Sequence, residues 1–106
     1  MQTIQEGGEV RSWYLELPAD FDDYCWEVEA KGWFSGARII ASDIRYSINF
    51  YDQARLSQQI QDEVPAGQIF FEPNLVVIRA VTRTNMENAA EELVLSGRVS
   101  SLLAET

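Results

Sequence analysis

The chain has 106 residues, 46% of them apolar and 24% charged, a composition that supports one folded domain and argues against intrinsic disorder. Seventeen acidic and eight basic side chains give a formal net charge of −9, which disfavours nucleic acids and anionic membranes as partners and favours basic proteins. A single cysteine and no histidine exclude an internal disulfide, most zinc sites and His-dependent nucleophile systems. Because no leader-like start or membrane-length apolar run is present, we expect a cytoplasmic protein. The lack of histidine and of nucleotide-binding motifs predicts no metal and no cofactor.

The predicted domain organisation is simple. Two adjacent glycines among polar residues predict that residues 1–10 form a flexible N-terminal arm. Residues 11–106 are then predicted to form a single α+β domain. Its first element is a strand over residues 13–17, where apolar side chains alternate with more polar ones until Pro18 ends the pattern.

The next stretch predicts a long hairpin. Residues 24–34 and 37–51 both alternate between apolar and polar side chains, and residues 34–36 would form the turn between them. In the first of these strands, Trp26 and Val28 are predicted to face the core. The opposite face of that strand would carry Cys25, Glu27 and Glu29.

Two registers of this hairpin keep its apolar side chains on one face. A three-residue turn with Gly36 in the left-handed conformation pairs Trp26 with Ile44. A bulge at Gly32 instead pairs Trp26 with Tyr46 and sets opposite charges across the two strands. The sequence leaves both registers open.

A helix and a second, shorter hairpin are predicted to follow. Asp52 is a suitable N-cap for a helix whose apolar positions recur every four residues until Pro65. After it, "QIFF" and "LVVIRAV" predict a short hairpin around residues 72–74, or a single bent strand. The continuous apolar run at residues 75–78 indicates a central strand covered on both faces.

The chain is predicted to end with a second helix. Thr84 and Glu87 form a capping box, and an apolar stripe that includes Met86 runs as far as Gly97. The predicted order is therefore β-β-β-α-β-β-α. This order favours an α+β fold with a mainly antiparallel sheet of four to five strands and two helices on one face.

The acidic stretch "DFDDYCWEVE", residues 20–29, contains the first candidate site. As a calcium-binding loop it fails, because Cys25 stands where glycine is needed and Lys31 where a bidentate glutamate is needed. We therefore predict no metal there. Cys25 has acidic neighbours rather than the cationic ones that activate a thiol, so we expect it to be inert.

Carboxylates offer a second candidate site. On the predicted strand, Glu27 and Glu29 would lie about 7 Å apart, with Asp43 beside them, a spacing compatible with acid/base catalysis. Tyr46 and Arg45 could complete a pocket between the sheet and the helices. This is the alternative function: a small-ligand-binding protein or a carboxylate-dependent enzyme.

The favoured site is the outer face of the predicted hairpin, where aromatic and aliphatic side chains are ringed by charge, as in protein interfaces. The predicted interface residues are Trp33, Phe34, Ile39, Tyr51, Glu27, Glu29, Asp43 and Arg45. The alternative is a purely structural role, in which the C-terminal segment or the N-terminal arm covers these residues as a second core layer. The favoured function is a non-enzymatic protein-binding module, either a homodimer or a partner of a basic protein, such as an immunity-type inhibitor.

Overall fold

A mixed sheet of four strands, in the order β1-β2-β3-β4, organises the chain. The structure is a computed structural model that describes residues 12–105. The predicted arm, residues 1–10, lies outside the described residues. The strands are β1 (Trp13–Glu16), β2 (Trp33–Ala41), β3 (Ile44–Tyr51) and β4 (Leu75–Val77).

Three helices accompany the sheet: α1 (Cys25–Lys31), α2 (Gln53–Glu63) and α3 (Arg83–Leu95). Short 3-10 turns at Phe21–Asp23 and Arg98–Ser101 precede α1 and follow α3. The sheet is open and the helices pack against it, which confirms the predicted single α+β domain. No helix within residues 12–105 is both long enough and apolar enough to cross a membrane.

A two-residue turn at Ser42-Asp43 connects β2 to β3. Both residues have positive φ, 50° and 69°, the left-handed geometry that lets a two-residue turn follow the twist of its strands. The single strand predicted over residues 37–51 is therefore wrong. The strand divides at this turn and its two halves pair with each other, with Ala41 opposite Ile44.

The turn decides which side chains of the hairpin are buried. Ile39 lies opposite Tyr46 and Ala37 lies opposite Ile48, and all four side chains are buried. Odd-numbered residues of β2 therefore share a face with even-numbered residues of β3, because paired residues point to the same side of a sheet.

A bulge at residues 35–36 shifts this register by one residue. Beyond it, Phe34 lies opposite Phe50, so both side chains reach the core face. A Cβ at Gly36 would lie 2.8 Å from Cζ of Phe34. Any other residue at this position would force that ring to shift.

Helix α1 replaces the strand predicted over residues 24–34, so both predicted hairpin registers are wrong as well. The helix buries only Val28, and Trp26, which we expected in the core, is 67% exposed. Gly32 ends the helix in the left-handed conformation with φ 75°, and its N–H donates to the carbonyl of Val28. A basic residue just before this glycine, Lys31, suits the negative end of the helix dipole.

Helix α2 begins where it was predicted to begin. The side chain of Asp52 accepts a hydrogen bond from the backbone N–H of Arg55 at 2.8 Å, which confirms the predicted N-cap. The apolar stripe is present, but α2 buries none of its residues. Ile60 and Val64 are both exposed.

Strand β4 pairs with β3 in parallel, so β3, α2 and β4 form a β-α-β unit. The hairpin predicted around residues 72–74 does not form, because residues 68–72 are not a strand. The prediction of a central strand over residues 75–78 is also wrong, since β4 lies at an edge of the sheet. The apolar side chains of β4 are only partly buried, although the strand pairs with β3 along its length.

Helix α3 packs on the core face of the sheet through Met86, Ala90 and Val94, as its predicted stripe requires. The N-cap is Thr82, two residues before the predicted Thr84, and its hydroxyl accepts from the N–H of Asn85 at 3.2 Å. The strand predicted over residues 13–17 is confirmed as β1, which pairs with β2.

The buried side chains lie on two faces of the sheet. Ile40 and Tyr51 are buried but lie outside the main core cluster. By strand alternation they belong to the opposite face, which we call the second face. The fully buried members of the main core include Phe21, Ile39, Ile48, Phe50, Val81 and Met86.

We expect Gly32 to be among the least replaceable residues. A Cβ there would lie 2.5 Å from a carboxylate oxygen of Asp52, so Gly32→Ala would combine left-handed strain with loss of the α2 cap. We expect a loss of about 2–4 kcal/mol in the free energy of unfolding, measured by urea denaturation.

Gly67→Ala is the matched control, because Gly67 has φ 92° and nothing within 4 Å of its Cβ position. It should cost only the backbone strain, about 1–2 kcal/mol. In an Asp52→Ala background the cost of Gly32→Ala should fall to that level. An equal cost in both backgrounds would contradict the proposed contact.

Candidate functional site

The structure divides the predicted interface residues between the interior and the surface. Ile39 is 0% exposed and Tyr51 is 3% exposed, so the prediction that the hairpin exposes them is wrong. The short turn directs Ile39 to the helix-covered face, whereas the ring of Phe70 packs on Tyr51. Trp33 and Phe34 are half-buried.

Phe34 belongs to an aromatic cluster on the core face rather than to a turn. Its ring centroid lies 5.2 Å from that of Phe21, which in turn lies 5.7 Å from that of Tyr24. Loss of solvation raises the pKa of Tyr24 above its usual value, and the carboxylates of Asp20 and Asp23 raise it further. The three rings pack together and anchor the 3-10 turn before α1 to the core.

Trp33 links the second face of the sheet to α2. Its ring centroid lies 6.4 Å from that of Tyr51. The guanidinium carbon of Arg55 lies 5.8 Å from the ring centroid of Trp33, in a cation–π contact. The indole Nε1 is buried and has no hydrogen-bond partner in the part of the chain that the structure describes. These contacts give Trp33 a packing role.

The carboxylates named for the alternative function do not converge. Glu27 and Glu29 are exposed on α1, next to the start of β2, whereas Asp43 lies in the turn at its far end. The nine residues of β2 span about 30 Å. Arg45 and Tyr46 are consecutive in β3, so their side chains point to opposite faces, and Tyr46 is buried.

A groove in the part of the chain that the structure describes is large enough to hold a small molecule, and it contains none of those residues. Its volume is about 370 Å³ and it is open to solvent. Within residues 12–105, no group of three or more Cys, Asp and Glu side chains is placed to hold a metal ion. The groove is lined by Ile78, Arg79, Asn85, Asn88, Ala89 and Glu92.

An exposed tryptophan on α1 is the feature that the sequence did not reveal. Side chains three positions apart are neighbours on a helix, so Glu29 lies beside Trp26 on α1, while Asp22 and Asp23 belong to the 3-10 turn just before the helix. All three carboxylates are exposed, as is Glu27. We call Asp22, Asp23, Trp26, Glu27 and Glu29 the acidic α1 surface.

Contacts with α3 hold one end of this surface in place. Oδ1 of Asp22 accepts a hydrogen bond from Arg83 at 2.9 Å, and the guanidinium carbon of Arg83 lies 5.4 Å from the ring centroid of Phe21. The thiol of Cys25 donates to the carbonyl of Asp22 at 3.6 Å. Trp26 thus projects from a helix that contacts the core through Val28 and follows a 3-10 turn anchored there by Phe21.

The sequence contained a signal for α1 that the strand prediction overlooked. Lys31 followed by Gly32 is typical of the end of a helix, and a helix ending there places Trp26 and Val28 on different sides. Glu27, Glu29, Asp43 and Arg45 are exposed, so their part in an interface stays a prediction.

Comparison with known proteins adds no family to this description, since no family model, curated protein or solved structure matches the chain. The function is therefore inferred from the geometry of the described residues.

Replacing Trp26 tests its assignment to the surface. Because its side chain is largely exposed, Trp26→Ala should change the free energy of unfolding by no more than about 0.5 kcal/mol. Phe21→Ala removes a fully buried ring and should cost about 3–5 kcal/mol. Comparable losses in urea denaturation would place Trp26 in the core and contradict the helical assignment of α1.

Proposed function

We propose that the protein is a non-enzymatic module that binds a basic partner protein through the acidic α1 surface. The observation that carries this proposal is a tryptophan exposed by 67% between carboxylates. Trp26 supplies a large apolar anchor of the kind that dominates binding energy in protein interfaces. Glu29 beside it on α1 and Asp23 just before the helix, both exposed, select for positive charge.

The chemistry of this surface suits Lys or Arg side chains. A cation above the ring of Trp26 gains a cation–π interaction, and the flanking carboxylates can accept its hydrogen bonds. The formal charge of −9 adds long-range attraction for a basic partner. An inhibitor that masks the cationic active site of a nuclease or toxin is a particular form of this function, supported by the size and charge of the chain.

Trp26→Ala should weaken the binding of a basic peptide. With a hexa-arginine peptide as the probe, we expect the dissociation constant to rise by about 2- to 30-fold, from the loss of about 0.5–2 kcal/mol of cation–π energy. Isothermal titration calorimetry measures the change. In NMR spectra of the wild type, the peptide should shift the amide signals of residues 22–30 more than those of α2 and α3.

Tyr14→Ala is the matched control, since Tyr14 is an exposed aromatic residue on β1. It should leave peptide affinity unchanged. The natural partner should co-purify from the source cell extract with the wild type and with Tyr14→Ala, but not with Trp26→Ala. Equal weakening by the two substitutions would count against the acidic α1 surface.

The position of the charges should matter as well as their sum. Glu27→Gln with Glu29→Gln removes two charges from the acidic α1 surface and should slow peptide association at low ionic strength, measured by stopped-flow fluorescence. The difference should shrink as added salt shortens the screening length.

Asp62→Asn with Glu91→Gln removes the same net charge from exposed positions on α2 and α3. This control pair should affect the association rate less. If both pairs slowed association equally, net charge alone would explain the attraction and no particular surface would be involved.

A further inference from the structure

A second exposed surface, which is apolar rather than acidic, lies between the middle of α2 and the end of β4. Half of the ten large apolar side chains that are exposed in the described residues fall within this segment. The two most exposed, Ile69 and Phe71, are 83% and 72% exposed. We call the set the uncharged α2–β4 surface, because none of its members carries a charge; its members are Ile60, Val64, Ile69, Phe71 and Val77.

Backbone and ring contacts bring the segment after α2 and the end of β4 to the end of β3. The N–H of Gln68 donates to the carbonyl of Glu63 at 3.0 Å, which folds the connecting segment back onto the end of α2. Phe70 packs edge-on against Tyr51 with 6.0 Å between ring centroids, and Val77 is aligned with Tyr51 in the sheet. The segment is thus held in place through Phe70, while the side chains on either side of it are exposed.

The sheet edge belongs to the same surface. Strand β4 is the last in the sheet order, and it is hydrogen-bonded to β3 on its inner side. In a parallel pairing, alternate residues direct their backbone groups outward, and here these are Leu75 and Val77, because Val76 bonds inward. Edge strands of this kind are ready to pair with a further strand.

Charge indicates which molecule fits this surface. Residues 64–78 contain one charged residue, Glu72, and Asp62 and Glu63 border this stretch at the end of α2. A basic partner would find few carboxylates to pair with there. Two copies of a chain with a charge of −9 repel each other, so they can approach at least electrostatic cost where the surface is least charged.

We propose that the uncharged α2–β4 surface binds a second copy of this chain in a two-fold symmetric dimer. Ile69, Phe71 and Val77 of one protomer pack against the same residues of its partner, with the β4 edges side by side. An isologous contact needs only a self-complementary patch. An uncharged apolar patch beside a strand edge that pairs with no strand of residues 12–105 meets that requirement. This inference goes beyond the proposed function and does not depend on it.

Sedimentation equilibrium of the full chain tests the dimer. We expect a concentration-dependent monomer–dimer equilibrium whose dimer strengthens as NaCl rises from about 0.01 M to about 0.15 M, because the screening length falls from about 30 Å to about 8 Å. Phe71→Ser and Ile69→Ser should each weaken the dimer by at least about tenfold, with unchanged circular dichroism. Both side chains are largely exposed, so the fold tolerates their loss.

Leu95→Ser is the matched control, because Leu95 is a large apolar residue exposed on α3 outside this surface. It should leave the dimer intact. A chain that stays monomeric at every concentration, or a dimer that Phe71→Ser and Leu95→Ser affect equally, would overturn the proposal.

Failure of this proposal can be told apart from failure of the proposed function. Trp26→Ala should leave the dimer unchanged, and Phe71→Ser should still bind the hexa-arginine peptide. Dimerisation lost with Trp26→Ala would place the interface on α1 and overturn the assignment to the uncharged α2–β4 surface.

Discussion

The register between β2 and β3 determines what every other element contacts. Because the turn at residues 42–43 has two residues with positive φ, Ile39 lies opposite Tyr46, and α3 and the first 3-10 turn cover the face that they share. A slip of one residue would move both side chains to the other face. The bulge at residues 35–36 adjusts the far end of the hairpin, so that Phe34 still reaches this core.

Elements whose local signals agreed could be predicted from the sequence, and elements with ambiguous signals could not. At Asp52 a capping residue coincides with the start of a helical period, and the helix begins there. Helix α1 buries only Val28, so it has no apolar stripe, and its sequence alternates like a strand. The turn at residues 42–43 was hidden because Ile39 and Ile40 are adjacent, and an apolar pair fits either phase of alternation.

The candidate site could be predicted only in part, for the same reason. Glu27 and Glu29 reach solvent in a helix as they would in a strand, so their exposure followed from the sequence. The exposure of Trp26 did not follow from the sequence, because a strand would direct its side chain to the core and the helix directs it to solvent. Ile69 and Phe71 also escaped prediction, since an apolar run without a neighbouring strand to pair with stays outside the sheet. The exposed residues that carry both proposals are therefore those for which tertiary context outweighed local pattern.

The distribution of the core along the chain has a consequence for its synthesis. Five of the thirteen residues in the main core cluster come after residue 80, and they lie in or around α3 and the last 3-10 turn. The hairpin can form early because its contacts are local, but its apolar face stays uncovered until the last quarter of the chain has been made. A ribosome that terminates before α3 would release a sheet with one bare face and two free edges, which is a substrate for chaperones and proteases rather than a smaller folded protein.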